Sequence, residues 1–307
     1  MDILIAGSGA VGGYVGHLLQ GARRDVTFLA RPASAQRLRN EGLKVRTADG
    51  TLHQESVAVL EGSTEEPYDL VILAPRASAL PSVVRTLVDN GAVGAETRLL
   101  PLLNGMAHLD VLERTFGSRR VLGGAIRLAA TQHPDGTVQV LAPGAGLEIG
   151  PLRYGDGVDR FADELRVPGL DVEVRADIVT AMWLKWVFIV GTAVVTIIGD
   201  GRIDEIAATP TGPELARAVL GEVRGITATE DVVLPERALQ ALGSALSDPS
   251  SRFAPSLYRD LVAGRPAEID ILDDLALRAE NHNVPAPLLN AARVRLQVAN
   301  NRVTPRT

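Results

Sequence analysis

A short apolar run, Asp2-Ile3-Leu4-Ile5-Ala6, leads directly into Gly7-Ser8-Gly9-Ala10-Val11-Gly12 and then into the helical pattern Val11–Gln20. A G-x-G-x-x-G spacing between a strand and a helix narrows the fold more than any other feature of this chain. The first glycine permits a tight turn, the second lets backbone approach a pyrophosphate, and the third lets helix and strand pack closely. The helix N-terminus then offers unpaired amides and the positive end of its dipole to phosphate. Gly7, Ser8, Gly9, Ala10, Val11 and Gly12 are therefore candidate dinucleotide-binding residues. The alternative is a glycine turn without a ligand.

The pattern continues through the first half of the chain. Asp25–Ala30, Asp69–Ala74 and Arg98–Leu103 are further short runs rich in Val, Ile and Leu, with helical stretches such as Ala79–Val88 between them. Buried strands alternating with helices predict βαβ units and a parallel sheet. From Val121 to Pro151 apolar alternation brackets the turn tetrapeptide His133-Pro134-Asp135-Gly136, which predicts an antiparallel hairpin closing the domain. After about Arg175 strand signals cease. Ala176–Ile198, Glu214–Thr227, Glu236–Leu246 and Ala267–Asn281 have helical period and length, separated by Pro, Gly and Asp-Pro-Ser breakers. The expected architecture is an α/β Rossmann-type domain over residues 1–172, a parallel sheet with an antiparallel extension, followed by an all-α domain over 173–307.

Composition excludes several classes. The 307 residues carry a formal charge of −6, so there is no basic excess for nucleic-acid phosphates. The absence of cysteine excludes disulfides, thiolate metal sites and a cysteine nucleophile. Histidines 17, 53, 108, 133 and 282 show no metal-ligand spacing, so no metal is expected. The longest apolar run, Trp186–Gly199, has 14 residues, below the roughly 20 that span a bilayer. With no basic leader visible, the expected location is cytoplasmic, with no membrane partner.

Two cationic features suggest chemistry. The second strand, Val26–Ala30, ends in Arg31 without an adjacent acid. An acid there would bond a ribose 2′-hydroxyl, whereas an arginine suits a 2′-phosphate, so NADP is predicted over NAD. A solvated strand-end arginine is the plainer alternative. Of 31 basic residues only two, Lys44 and Lys185, are lysine. Lys185 lies in Ala181-Met182-Trp183-Leu184-Lys185-Trp186-Val187-Phe188-Ile189, apolar almost all round, where a buried ammonium is costly unless partnered or functional. Such a lysine can protonate the alkoxide left by hydride addition to a carbonyl, or snorkel to solvent at a domain seam. Lys44 reads as an ordinary strand residue. Glu268, after Gly264-Arg265-Pro266-Ala267, fits ordinary helix-start chemistry with proline at N1. Asn104-Gly105 reads equally as a turn, and Ser256 and Asp260 share one helix face.

Taken together these residues resemble the ketopantoate reductase (2-dehydropantoate 2-reductase) family nearly end to end. Gly7-Ser8-Gly9-Ala10-Val11-Gly12-Gly13 is similar to its opening motif, and Leu103-Asn104-Gly105-Met106 to its Gln-Asn-Gly segment. Trp183-Leu184-Lys185 matches W-x-K. Ser256-Leu257-Tyr258-Arg259-Asp260 with Gly264-Arg265-Pro266-Ala267-Glu268-Ile269-Asp270 matches S-x-x-x-D…G-R-x-x-E-I-D, the most specific stretch.

The resemblance implies NADPH-dependent reduction of a small 2-oxo acid, with catalysis in a cleft between a Rossmann and a helical domain. Lys185 would be the general acid, Glu268 would hold the substrate hydroxyl, and Ser256 its carboxylate. Asn104 would lie near both nicotinamide and substrate, while Arg31 and Arg76 would contact the cofactor. A homodimer through the helical domain is a further expectation. The chain departs from the family's K-x-x-x-N-x-x-x-N, having Ile189 and Ala193 where asparagines are usual, although Thr196 fits. The departure leaves two alternatives beside ketopantoate reduction: a reductase for a more apolar 2-oxo acid or ketone, with Ile189 and Ala193 lining its pocket, and a non-catalytic NADP-binding sensor.

Overall fold

The structure is a computed structural model that describes residues 1–153 and 157–303. It contains two compact units, one comprising Met1–Leu103 with Ala107–Ala181 and the other Asn104–Met106 with Met182–Thr307.

The first unit is built on β1 (Asp2–Ala6), α1 (Ala10–Gly21), β2 (Asp25–Leu29), α2 (Pro32–Glu41), β3 (Leu43–Arg46), β4 (Leu52–Glu55), β5 (Ala58–Val59), β6 (Leu70–Leu73), α3 (Leu80–Asp89), β7 (Arg98–Pro101) and α4 (Ala107–Phe116). It continues through β8 (Leu122–Arg127), β9 (Ala130–Gln132), β10 (Val138–Val140), β11 (Ala145–Pro151), α5 (Val158–Leu165) and β12 (Leu170–Val174). Its central sheet is wholly parallel, in the order β5-β2-β1-β6-β7. Ile3, Leu4, Ile5, Leu70, Val71, Ile72 and Leu73 have no exposed surface. Strands apolar at every position are what a sheet covered on both faces selects.

The antiparallel extension is present but divided. The predicted hairpin forms as β9 against β10, and β10 then pairs in parallel with β3 of the β3–β4 hairpin, giving the sheet β4-β3-β10-β9. The flanking runs form a separate sheet, β12-β11-β8, in which β11 pairs antiparallel with β8 and parallel with β12. The β8 and β11 runs are buried on both faces over Leu122–Ile126 and Leu147–Gly150, with Glu148 paired to Arg127 and Arg175, so they pack into the core rather than prolong a solvated hairpin.

The helical elements are α6 (Ile178–Gly199), α7 (Ile203–Ala207), α8 (Gly212–Thr227), α9 (Glu236–Leu246), α10 (Ser256–Val262), α11 (Asp270–Asn281) and α12 (Pro287–Val303). Only the first four residues of α6 belong to the first unit. This helix of 22 residues runs on both sides of Lys185 and is longer than the apolar run after it; among the described residues it alone has the length and composition of a membrane span. Its most apolar window is 72% buried within the protein, as in a core helix.

Helix α1 approaches β1 and β2 very closely. A Cβ on Gly16 would lie 2.3 Å from Cζ of Phe28, a ring with no exposed surface. Alanine inside a helix ordinarily gains about 1 kcal/mol over glycine, but overpacking a core costs about 1–3 kcal/mol. Gly16→Ala is therefore expected to lower the urea midpoint; a raised midpoint would show that Phe28 can move aside.

Candidate functional site

In the first unit the glycine loop is formed by close backbone approaches. Gly7 has φ +112°, and a Cβ there would lie 2.7 Å from the carbonyl oxygen of Ala74. A Cβ on Gly12 would lie 1.9 Å from the oxygen of Gly7, so helix and turn meet backbone to backbone. Gly7 donates its N–H to Leu29 O at 2.9 Å, and Gln132 Nε2 from β9 donates to Ser8 O at 2.7 Å. Gly9 differs from its neighbours, because a Cβ there would meet open space. Helix α1 also has no side-chain cap and no acid in its first turn. The first amides of a helix have no partner within it, and here they are left to an anion. These features fit the pyrophosphate of a dinucleotide. Arg31 is exposed and caps α2 immediately after β2, while Arg76 is exposed at the cap of a short 3-10 turn after β6.

The candidate substrate residues all fall in the helical unit, including Asn104, whose segment packs there. Gly105 has φ +79°, and a Cβ on it would lie 3.1 Å from Asp274 Oδ2 and 3.9 Å from the Trp186 ring. The next residue, Met106, donates its N–H to Asp274 Oδ2 at 2.8 Å. Asp274 also receives Arg278 Nε at 3.1 Å, and the Arg278 guanidinium lies 5.3 Å and 5.5 Å from the rings of Trp183 and Trp186. Trp186 Nε1 donates to Ile271 O at 3.0 Å. Asn104-Gly105-Met106 is thus a tethered segment rather than a free turn. It is brought against Trp186 of α6 and Asp274 of α11, and Lys185, one residue before Trp186 on α6, is half-buried.

The motif-matching stretch around Glu268 is held by neighbours of its own. Asp260 pairs with Arg265 at 2.7 Å, fixing the exit of α10. Asn300 of α12 clamps Ala267, accepting its N–H at 2.9 Å and donating to its carbonyl at 3.0 Å. Helix α11 starts only at Asp270, so Pro266 is not at N1 and Glu268 precedes the helix; ordinary helix-start chemistry does not explain it. Glu268 is half-buried, and Ser256 is exposed at the first residue of α10.

Ala193 is wholly buried in α6, so Ile189, half-buried one turn from Lys185, is the accessible departure from the asparagine pattern. Thr196 is wholly buried as well, its hydroxyl bonded to Thr192 O at 2.7 Å. Lys44 pairs with Glu41 at 2.6 Å on β3, an ordinary surface arrangement. Asp274, Arg278 and Asn300 carried no sequence signal, since acids, arginines and amides are expected on any solvated helix face.

A parallel-sheet dinucleotide-binding unit joined to an all-α unit carrying a tethered Asn-Gly segment and a half-buried lysine defines a two-unit oxidoreductase class. Residues 3–154 match the family profile "Ketopantoate reductase PanE/ApbA" and residues 177–297 its C-terminal counterpart, and the chain belongs to that family. It is 27% identical over 302 residues to the uncharacterized oxidoreductase YkpB of Bacillus subtilis, covering 97% of this chain and 98% of that one. It is 27% identical over 278 residues to a 2-dehydropantoate 2-reductase of Streptococcus pyogenes, covering 89% of each. The fold matches D-mandelate dehydrogenase in a ternary structure with NADH and anilino(oxo)acetate, with TM-score 0.86, 23% identity and 99% of each chain covered.

Asp274→Ala would leave the Met106 N–H without its acceptor and remove one of the two acidic partners of Arg278, which keeps Glu230. A loss of about 1–3 kcal/mol is expected in urea unfolding; an unchanged midpoint would remove the tether from the account of the fold.

Proposed function

We propose that this enzyme reduces a 2-oxo acid at the expense of NADPH, with 2-dehydropantoate, giving pantoate, as the first substrate to test. The observation that carries the reading is the setting of Lys185. It is half-buried on an apolar helix, next in sequence to Trp186, whose indole bonds Ile271 and lies beside Arg278. In a protein that otherwise uses arginine almost throughout, an amine held this way suits proton transfer, because a guanidinium does not give up its proton near neutral pH. A bound reduced nicotinamide would supply the hydride. Lys185 Nζ donates a proton to the carbonyl oxygen as it gains negative charge. Glu268 accepts a hydrogen bond from the substrate hydroxyl, Ser256 donates to the carboxylate, and Asn104 orients the reacting carbonyl. Gly7 to Gly12 hold the pyrophosphate on the amides of α1, with Arg31 and Arg76 available to the phosphates of NADP.

A second reading rests on Ile189. An isoleucine one turn from the lysine offers the substrate no hydrogen bond and favours an apolar side chain on the 2-oxo acid. The fold likeness to an enzyme crystallised with an aryl-substituted oxoacetate makes aryl 2-oxo acids the competing class. A non-catalytic NADP sensor is the third reading, and retention of both Lys185 and Glu268 counts against it. We also place the protein in the cytoplasm and assign it a homodimer through the helical unit, where Leu277, Val294 and Val298 are exposed. Light scattering tests the dimer.

NADPH oxidation should be followed with 2-dehydropantoate beside an aryl 2-oxo acid. Faster turnover of the first supports pantoate formation, faster turnover of the second moves the substrate to the aryl class, and NADPH binding without turnover of either favours the sensor. Lys185→Ala is expected to lower kcat by about 10²–10⁴-fold while leaving NADPH affinity nearly intact; unchanged kcat would remove the lysine from proton transfer. Arg31→Glu is expected to shift preference from NADPH toward NADH, and unchanged preference would place the 2′-phosphate elsewhere.

A further inference from the structure

Histidines 17 and 53 are 36 positions apart in a chain whose histidine spacing suggests no metal, yet the fold brings them together with Glu55. The register explains how. β4 pairs antiparallel with β3, placing His53 opposite Val45 and Glu55 opposite Leu43. Directly opposed residues project from the same face of a sheet, and Val45 and Leu43 are buried on theirs. That face lies under α1, because a Cβ on Gly13 would come 3.5 Å from Leu43 Cδ1. His17 is four residues beyond Gly13 and lies on the same side of the helix. One nitrogen each of His17 and His53 and one oxygen of Glu55 consequently lie within 4.8 Å of one another.

The polar atoms in this cluster are incompletely satisfied. His17 Nδ1 lies 3.0 Å from Glu55 Oε1, close enough to hydrogen-bond. The contact has the distance of an ion pair, but His17 Nδ1 is buried without a hydrogen bond of good geometry among the described residues. The other Glu55 oxygen, Oε2, is in the same state, and so is Gln20 Oε1, three residues beyond His17. Buried polar atoms are rarely left unpaired. A ring nitrogen and a carboxylate oxygen this close, with no hydrogen bond of good geometry between them, are placed as two ligands of one cation would be. The His17 and His53 rings, with centroids 5.0 Å apart and planes at 48°, are tilted to each other rather than stacked.

We infer that His17, His53 and Glu55 bind one divalent first-row transition cation of the zinc class. Two imidazole nitrogens and one carboxylate oxygen suit zinc, cobalt or nickel, whereas magnesium and calcium require mainly oxygen ligands. Bond lengths of about 2.0–2.2 Å require the three atoms to close in slightly, within reach of side-chain rotation. Water completes a four-coordinate shell. The ion joins the later turns of α1 to the β3–β4 hairpin, at residues separate from the glycine loop. Its role is to fix the helix that presents that loop, and the inference does not depend on the reaction proposed above.

The test uses full-length protein stripped with a chelator and titrated calorimetrically with Zn²⁺ alone. One equivalent should bind, and the melting temperature should rise on saturation. His53→Gln, on a strand at the sheet edge, should melt like the stripped wild type in chelator yet bind Zn²⁺ at least tenfold more weakly. Co²⁺ provides an independent readout: the intense visible absorption of four-coordinate cobalt is expected in the wild type and absent from His53→Gln. His17→Gln should behave in the same way. No stoichiometric binding by the wild type, equal affinity in the histidine variants, or only the weak absorption of six-coordinate cobalt would each overturn the site.

Discussion

Helix α1 lies against β1 and β2 at a separation that residues with side chains cannot occupy. At Gly12 the neighbouring atom is backbone and at Gly16 it is a core aromatic ring, so there is no room for a methyl group at either point. That proximity points the helix N-terminus at the loop leaving β1 and keeps its first amides free. It also sets the height at which α1 passes over β3, and therefore what its later turns can touch. The phosphate cradle and the His17 cluster are two consequences of one steric constraint, at successive turns of the same helix.

The helical unit is organised around polar rather than steric contacts. Helix α6 is apolar on nearly every side, so burial alone does not fix its rotation. The indole N–H of Trp186 bonded to Ile271, and the Arg278 guanidinium beside both tryptophans, orient it against α11. Asp274 connects the same helix to the backbone of Met106. A few directional bonds thus help to set the rotation of the helix that carries Lys185, whose hydrophobic surface would tolerate several orientations.

The parts of this architecture legible in the sequence were those governed by local pattern. Strands buried on both faces, such as Leu70–Leu73, show as unbroken apolar runs, and α1 and α6 show as periodic or wholly apolar segments between breakers. Long-range pairing was not legible: nothing near Val138 indicates that it will pair beside Val45. Helix α12 escaped notice because it buries only a narrow stripe, Leu289, Ala292 and Leu296, and leaves Val294 outside. The lysine and glutamate of the candidate site stood out by motif, while the residues that hold their surroundings, Asp274 and Asn300, are of types expected on any exposed helix. His17 and His53 belong to elements far apart in the chain, and the β4 strand that sets His53 and Glu55 on one face was not read from the sequence.

The scarcity of lysine has a practical side. Side-chain amines occur at two positions, one engaged in an ion pair on a surface strand and the other in the middle of the longest helix. Acylating reagents and lysine-directed proteases therefore address very few points in a chain of 307 residues, and one of them is the residue assigned to proton transfer. Most proteins conceal such a residue among dozens of chemically equivalent ones. Here selective modification needs no engineering, because the composition has already removed the background.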